Sequence, residues 1–174
     1  MSDIWIVNGM PGVGKTTVAK ELAKRCGRGV HIEADHLQEI ILSGSVPPGS
    51  EPLDEQKRQI HLNIRNQCLL ARSFLQDEFT PVIDYVIPTR ERLEEYRSHL
   101  GGSRLLLVTL DPGIDTALER DRKRPEKTVG AEWVHLQEEI RKALTGIGLW
   151  IDSSGMSIPE TVDRIFAGRD QAHA

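Results

Sequence analysis

Residues 9 to 16 read Gly9, Met10, Pro11, Gly12, Val13, Gly14, Lys15, Thr16, which fits the spacing G-x-x-x-x-G-K-[ST] at every fixed position. The glycines free the backbone to turn its N–H groups inward, and a lysine and two hydroxyls, Thr16 and Thr17, follow at once. The flanks supply the context that this loop needs. Residues 4–7 (Ile-Trp-Ile-Val) are a short β-prone apolar run, and after Thr17 the apolar residues Val18, Ala19, Leu22 and Ala23 recur at helical spacing. The loop therefore joins the end of a strand to the start of a helix. Its inward N–H groups and the positive end of the helix dipole make it an anion cradle. Such a loop is the phosphate-binding P-loop, and it specifies a nucleoside triphosphate with Mg²⁺ as ligand. Gly9 to Thr17 would line the phosphates, Lys15 would reach the β- and γ-phosphates, and the Thr16 hydroxyl would ligate the metal. A dinucleotide-binding G-x-G-x-x-G fits less well, because the third glycine position after Gly12 and Gly14 holds Thr17.

Beyond the loop, apolar strands alternate with amphipathic helical stretches. Strands are expected over 4–7, 30–33, 81–84, 104–110 and 149–152. Helices are expected over 15–26, 35–42 then 55–76, 89–99, 113–123 then 131–144, and 158–167. The run 104–110 (Arg-Leu-Leu-Leu-Val-Thr-Leu) is nearly continuous apolar, as a strand buried on both faces must be. Alternating β and α predicts an α/β fold of three layers, a parallel sheet with right-handed crossovers and helices on both faces. Ligands then bind beyond the C-terminal ends of the strands. Two segments interrupt the rhythm on that side. Residues 43–52 are rich in Pro, Gly and Ser, and 120–130 are polar, basic and broken by Pro125 and Gly130. They are the expected substrate flap and lid. The 174 residues suit one domain.

Bulk properties exclude several classes. A net charge of −4 gives no global field to recruit nucleic acid or an acidic membrane, and 5% aromatic residues leave little for stacking bases. Cys26 and Cys68 have no metal-ligand spacing, so a reduced, cytoplasmic setting is expected. The chain enters its first strand without a basic and apolar leader, and no apolar stretch approaches transmembrane length.

Several side chains at strand ends are candidates for chemistry. Asp35 closes the second strand. Asp35 with Gln38 permits a capping box, but its position favours a carboxylate that orients, or takes a proton from, an acceptor hydroxyl. Asp84 ends the third strand, where an apolar run closing in Asp matches a Walker B carboxylate that orients Mg²⁺. Asp111 competes, but Asp111-Pro112 reads as an N-cap followed by Pro at the first helical position, so Asp111 is assigned to structure and Asp84 to the metal. In the charge run 119–127, Arg120 and Arg124 are the candidates for stacking on adenine or neutralising a transferred phosphoryl group, against a merely solvated helix end. Asp152-Ser-Ser-Gly155 is expected to be a turn flanking the adenine; it lies too late in the chain for a GTPase motif. Ser157 with Glu160 is a capping box. In the helix 55–76, Ile60, Ile64, Ala71 and Phe74 share a core face, and Arg58, His61, Arg65 and Arg72 form a neighbouring stripe. That stripe reads either as a solvated flank or as a basic wall for an anionic acceptor.

With these residues in order, the chain resembles the small P-loop kinases. It is most similar to the chloramphenicol phosphotransferase-like, AAA-type group, within a set that includes shikimate and gluconate kinases, zeta toxins and 5′-hydroxyl polynucleotide kinases. The resemblance rests on Gly9 to Thr17, Glu33-Ala34-Asp35-His36-Leu37, Val82-Ile83-Asp84, residues 111–124 and Ile151-Asp152-Ser153-Ser154. It implies five strands in the order 2-3-1-4-5, Asp35 as base or hydroxyl ligand, and Arg120 and Arg124 as nucleotide contacts. The expected activity is ATP-dependent phosphoryl transfer, with Mg²⁺, to a hydroxyl of a small molecule. The rivals are a nucleic-acid end kinase, a nucleotide-sugar kinase of the toxin type and a non-catalytic ATP-binding switch. The short chain, and Tyr85 rather than Glu after Asp84, disfavour a processive AAA+ ATPase.

Overall fold

A computed structural model describes residues 3–123 and 130–174. The sheet has five parallel strands, β1 (Asp3–Asn8), β2 (Gly29–Glu33), β3 (Thr80–Asp84), β4 (Arg104–Leu110) and β5 (Leu149–Ile151), in the order β2-β3-β1-β4-β5. The helices are α1 (Lys15–Arg25), α2 (Ala34–Glu39), α3 (Leu53–Gln76), α4 (Arg90–His99), α5 (Ile114–Arg122), α6 (His135–Leu144) and α7 (Ile158–Ala167). This is the P-loop α/β architecture expected from the alternating pattern and the resemblance.

The central strands carry apolar side chains on both faces because both faces are covered. In β1, Trp5 and Val7 pack with α1 and α7, beside Val18, Leu22, Val162 and Ile165. Ile4 and Ile6 point the other way, toward Ile64 of α3, Leu93 of α4 and Ile140 of α6. β4 repeats the division, with Leu106 and Val108 on the first face and Leu105 and Leu107 on the second. β1 and β4 thus each feed two cores.

One contact of this packing has a large expected effect. A Cβ on Gly29 would lie 1.8 Å from the Ala23 carbonyl oxygen, so β2 starts flush against the end of α1 only because this residue has no side chain. Gly29→Ala is expected to destabilise the fold by about 3 kcal/mol, through forced separation of helix and strand. A shift in the urea midpoint measures it, and an unchanged midpoint would contradict this packing.

Four local expectations need correction. The helix expected over 113–123 starts at Ile114 with Gly113 as its N-cap, so Asp111 does not cap it. α2 begins at Ala34 with Glu33 at the N-cap position and no side-chain cap, so Asp35 is not the capping residue either. α2 also stops at Glu39 instead of 42, because Gln59 of α3 draws the next segment away: its side chain donates to the Gly44 carbonyl (2.7 Å) and accepts from the Val46 N–H (2.8 Å). The helix expected over 131–144 is divided into a 3₁₀ turn (Gly130–Trp133) and α6. The capping box at the start of α7 is present as expected, with Ser157 and Glu160 bonded reciprocally.

Candidate active site

The P-loop crosses from β1 to α1 at the C-terminal edge of the sheet. Its glycines do different work. A Cβ on Gly9 would meet the Leu110 carbonyl oxygen at 2.7 Å, and one on Gly12 would meet the Ala117 carbonyl oxygen at 2.6 Å. These two wedge the loop between the end of β4 and α5. Gly14, at φ +98°, is the N-cap of α1, and no heavy atom lies within 4 Å of where its Cβ would project. The loop is therefore tight beneath and open above the helix N-terminus, which is the shape a phosphate chain fits. The Lys15 ammonium lies over the loop, donating to the Met10 carbonyl at 3.1 Å.

Thr16 and Asp84 meet beside this cradle. The Thr16 hydroxyl donates to Asp84 Oδ2 at 2.6 Å. His31 of β2 donates from Nε2 to Asp84 Oδ1 at 2.9 Å. Asp84 is buried at the end of β3, level with Val7 of β1 and Glu33 of β2. Burial pushes its carboxyl pKa up, but the hydrogen bonds from His31 and Thr16 and the nearby positive charge, Lys15 included, outweigh burial and hold it below the ordinary carboxylate range. A buried anion next to a hydroxyl at the foot of a P-loop fits Mg²⁺, which takes few protein ligands and completes its shell with phosphate and water. Among the described residues no group of three or more His, Cys, Asp or Glu offers an all-protein metal cage.

The depressed pKa has a consequence for acid stability. Asp84 titrates lower folded than unfolded, so its contribution is complete above the ordinary Asp value and fades as pH falls below about 4 toward the folded value. Asp84→Asn is expected to flatten that acid limb in a series of melting curves. A parallel acid loss in both proteins would contradict the assignment.

On the far side of the loop, Arg120 from the last turn of α5 donates to the Val13 carbonyl (3.0 Å) and to the Ser153 carbonyl (2.6 Å). It ties the P-loop to the turn after β5. In that turn Asp152 accepts from the Ser154 N–H at 2.9 Å, as its expected turn role requires. Arg124 and most of the segment expected as a lid lie outside the described residues. On the acceptor side, Asp35 stands in the first turn of α2, directly beyond the β2 end that pairs with Asp84. It is exposed and makes no side-chain hydrogen bond among the described residues. The loop 43–52 reaches across to the 3₁₀ turn, where a Cβ on Gly49 would come within 2.9 Å of the Trp133 ring.

The chain has counterparts among known proteins. The profile of a protein family described as an AAA domain matches residues 6–143. The chain belongs to this AAA-domain family. No curated protein matches the sequence. Among solved structures, the AAA-domain chain is similar to an unliganded sugar kinase from Janibacter sp. HTCC2649, with 18% identity, TM-score 0.70, and 99% of this chain and 96% of that one covered. It is similar to a tunicamycin resistance protein of Deinococcus radiodurans, with 23% identity, TM-score 0.69, and 100% and 99% covered. A gluconokinase from Sinorhizobium meliloti 1021 follows, with 22% identity, TM-score 0.68, and 97% and 91% covered. At these identities the likeness is one of fold.

The rest of the AAA-domain site departs from expectation at named residues. Asp111 is structural, but as a clamp: Arg141 of α6 holds it through Nε (2.7 Å) and Nη2 (2.9 Å), and Gln137 also donates to it. Arg141→Ala is expected to cost about 1 kcal/mol, since the guanidinium is half exposed, and to leave nucleotide affinity unchanged. A calorimetric melt and an ATP titration check both. The basic stripe on α3 is paired in part, and Arg65 is exposed with no ion pair among the described residues. Arg58 is paired with Glu55 (2.7 Å), and His61 with Glu95 (2.7 Å). Arg58 and Gln59 hold Glu55 down to about 2. Arg72 lies about 21 Å beyond Arg58 along the helix, at the wrong end of the sheet.

Sequence reasoning missed His31 and the polar residues Gln59, Asn63 and Gln67, all three buried on α3. Their spacing of four, set beside an apolar stripe, was the available signal. The two cysteines are free, and burial pushes the Cys68 thiol up to about 12, so neither offers a ready nucleophile.

Proposed function

We propose that this protein is an ATP- and Mg²⁺-dependent kinase that transfers the γ-phosphoryl group to a hydroxyl of a small molecule. The observation that carries the reading is the 2.6 Å bond between Thr16 and the buried, ionised Asp84 beside an open P-loop. Loop N–H groups from Gly9 to Thr17 and the α1 N-terminus bind the phosphates, and Lys15 swings from the Met10 carbonyl to the β- and γ-oxygens. Thr16 and Asp84 would hold Mg²⁺, directly or through water, and the metal would supply positive charge to the phosphates. Asp35 orients the acceptor hydroxyl and takes its proton as the new O–P bond forms and the bond to the ADP oxygen breaks. Arg120 stands by the nucleotide, and Arg124 serves from the lid. Catalysis is then mostly positioning and electrostatics.

A small acceptor is supported by the names of the similar structures, a sugar kinase and a gluconokinase among them. It is also supported by the pairing of Arg58 with Glu55 and Arg92 with Glu95, which neutralises part of the cationic surface a nucleic-acid end would need. No helix among the described residues is long and apolar enough to cross a membrane, and two free cysteines support a reduced, cytoplasmic setting.

ADP release from ATP and Mg²⁺ over a panel of sugars, sugar acids, hydroxyl-bearing antibiotics, nucleosides, nucleotide sugars and a 5′-hydroxyl oligonucleotide tests the reading. Turnover that depends on a small acceptor is expected. Turnover only with the oligonucleotide, or tight ATP binding without turnover on any acceptor, would overturn it.

A further inference from the structure

Asp35 makes no side-chain hydrogen bond or ion pair among the described residues, so its place depends on the helix that carries it. That helix, α2, has six residues and no side-chain cap, too little to hold its own geometry in water. What holds it is a line of buried amides. The Tyr96 hydroxyl of α4 donates to Gln67 Oε1. Gln67 Nε2 donates to Asn63 Oδ1 at 2.9 Å, and Asn63 Nδ2 donates to the Ala34 carbonyl at 2.9 Å. Tyr96 and Gln67 are fully buried and Asn63 is 4% exposed. Every donor in the line points the same way, so each bond polarises the next, and the line ends on the residue before Asp35. Burial raises the Tyr96 phenol well above its ordinary pKa, which keeps it a donor at all working pH values. One turn up α3, Gln59 takes a hydrogen bond from Gln38 (3.1 Å) and so fastens the other end of α2.

We propose that Asn63, backed by Gln67 and Tyr96, is a positioning residue for phosphoryl transfer, fixing α2 so that the Asp35 carboxylate meets the acceptor hydroxyl. The inference rests on the kinase reading above. A polar line inside a helix-to-sheet core is costly where apolar side chains would pack as well, and its one terminus outside α3 and α4 is the Ala34 carbonyl. Asn63 touches no reacting atom; it acts through Asp35.

Two measurements test this. The first needs no acceptor: hydrogen exchange of the full chain without nucleotide. Asn63→Ala is expected to speed exchange at the α2 amides at least tenfold while α1 amides change less than twofold. Unchanged α2 exchange, or an equal rise in α1, would overturn the proposal. The second uses whichever small acceptor the panel identifies. Asn63→Ala is expected to lower kcat about tenfold to a hundredfold, with the Kd for ATP within twofold of wild type. In an Asp35→Asn background the same substitution is expected to lower kcat no further. Fully additive losses, or a fall in ATP affinity matching the fall in kcat, would mark Asn63 as merely structural. Should Asn63→Ala fail to fold, Tyr96→Phe removes only the first donor, keeps the packing, and is expected to give a smaller kcat loss with the same non-additivity. Failure of the kinase reading looks different: wild-type protein then turns over no small acceptor, while the exchange result still decides the structural half.

Discussion

Lys15→Ala is expected to lower kcat by at least about a hundredfold while the protein stays folded. Lys15 is the first residue of α1, and its side chain turns back over the loop to the Met10 carbonyl at 3.1 Å. The ammonium is thus held where charge builds on the β- and γ-phosphates, and no other residue duplicates that reach from within the loop. Alanine suits the first turn of a helix, so the loss falls on charge stabilisation and not on the fold. Steady-state turnover beside a melting curve separates the two. Near-normal kcat in a folded Lys15→Ala protein would contradict the phosphate-binding role.

Asp84→Asn has the second large effect, and it acts through the metal. Asn has nearly the shape of Asp and can still accept from Thr16, but it brings no charge and turns an N–H₂ or a neutral oxygen toward His31. The Mg²⁺ concentration needed for half-maximal turnover is expected to rise tenfold to a hundredfold. The Kd for ATP in the absence of Mg²⁺ is expected to change little. A magnesium titration at fixed ATP reads the first and an equilibrium titration with a chelator reads the second. Equal magnesium curves for the two proteins would remove Asp84 from the metal site and reopen the role of Asp111.

The parts of this molecule legible in its sequence are those set by local chemistry. The P-loop is specified by glycines that must turn tightly and by the lysine and hydroxyl that follow, and β4 and α7 begin and end where their apolar runs and capping box predict. The strand order and Asp84 at a buried strand end also stand as expected. What escaped was set by partners distant in the chain. His31 is an ordinary strand residue until β3 is laid beside β2 and brings Asp84 to it. Asp111 carries the local pattern of a helix cap, yet Arg141 of α6 claims its carboxylate with two hydrogen bonds, an attraction worth more than one backbone N–H. In the stripe of Arg58, His61, Arg65 and Arg72, which looks cationic from α3 alone, Arg58 is paired with Glu55 on the preceding turn and His61 with Glu95 across on α4. The buried line through Gln67 and Asn63 escaped because amides read as surface residues until a long-range partner is known.

The most direct measurement follows the phosphoryl group itself. ATP labelled at the γ-phosphate is incubated with Mg²⁺ and the acceptor panel, and the label is counted on acceptor, on water as inorganic phosphate, and on unreacted ATP. The account predicts label on the hydroxyl of one class of small acceptor, absent with Lys15→Ala and strongly reduced with Asp35→Asn. Label confined to inorganic phosphate, or retained in tightly bound ATP whatever the acceptor, would contradict a kinase and leave a nucleotide-binding switch in its place.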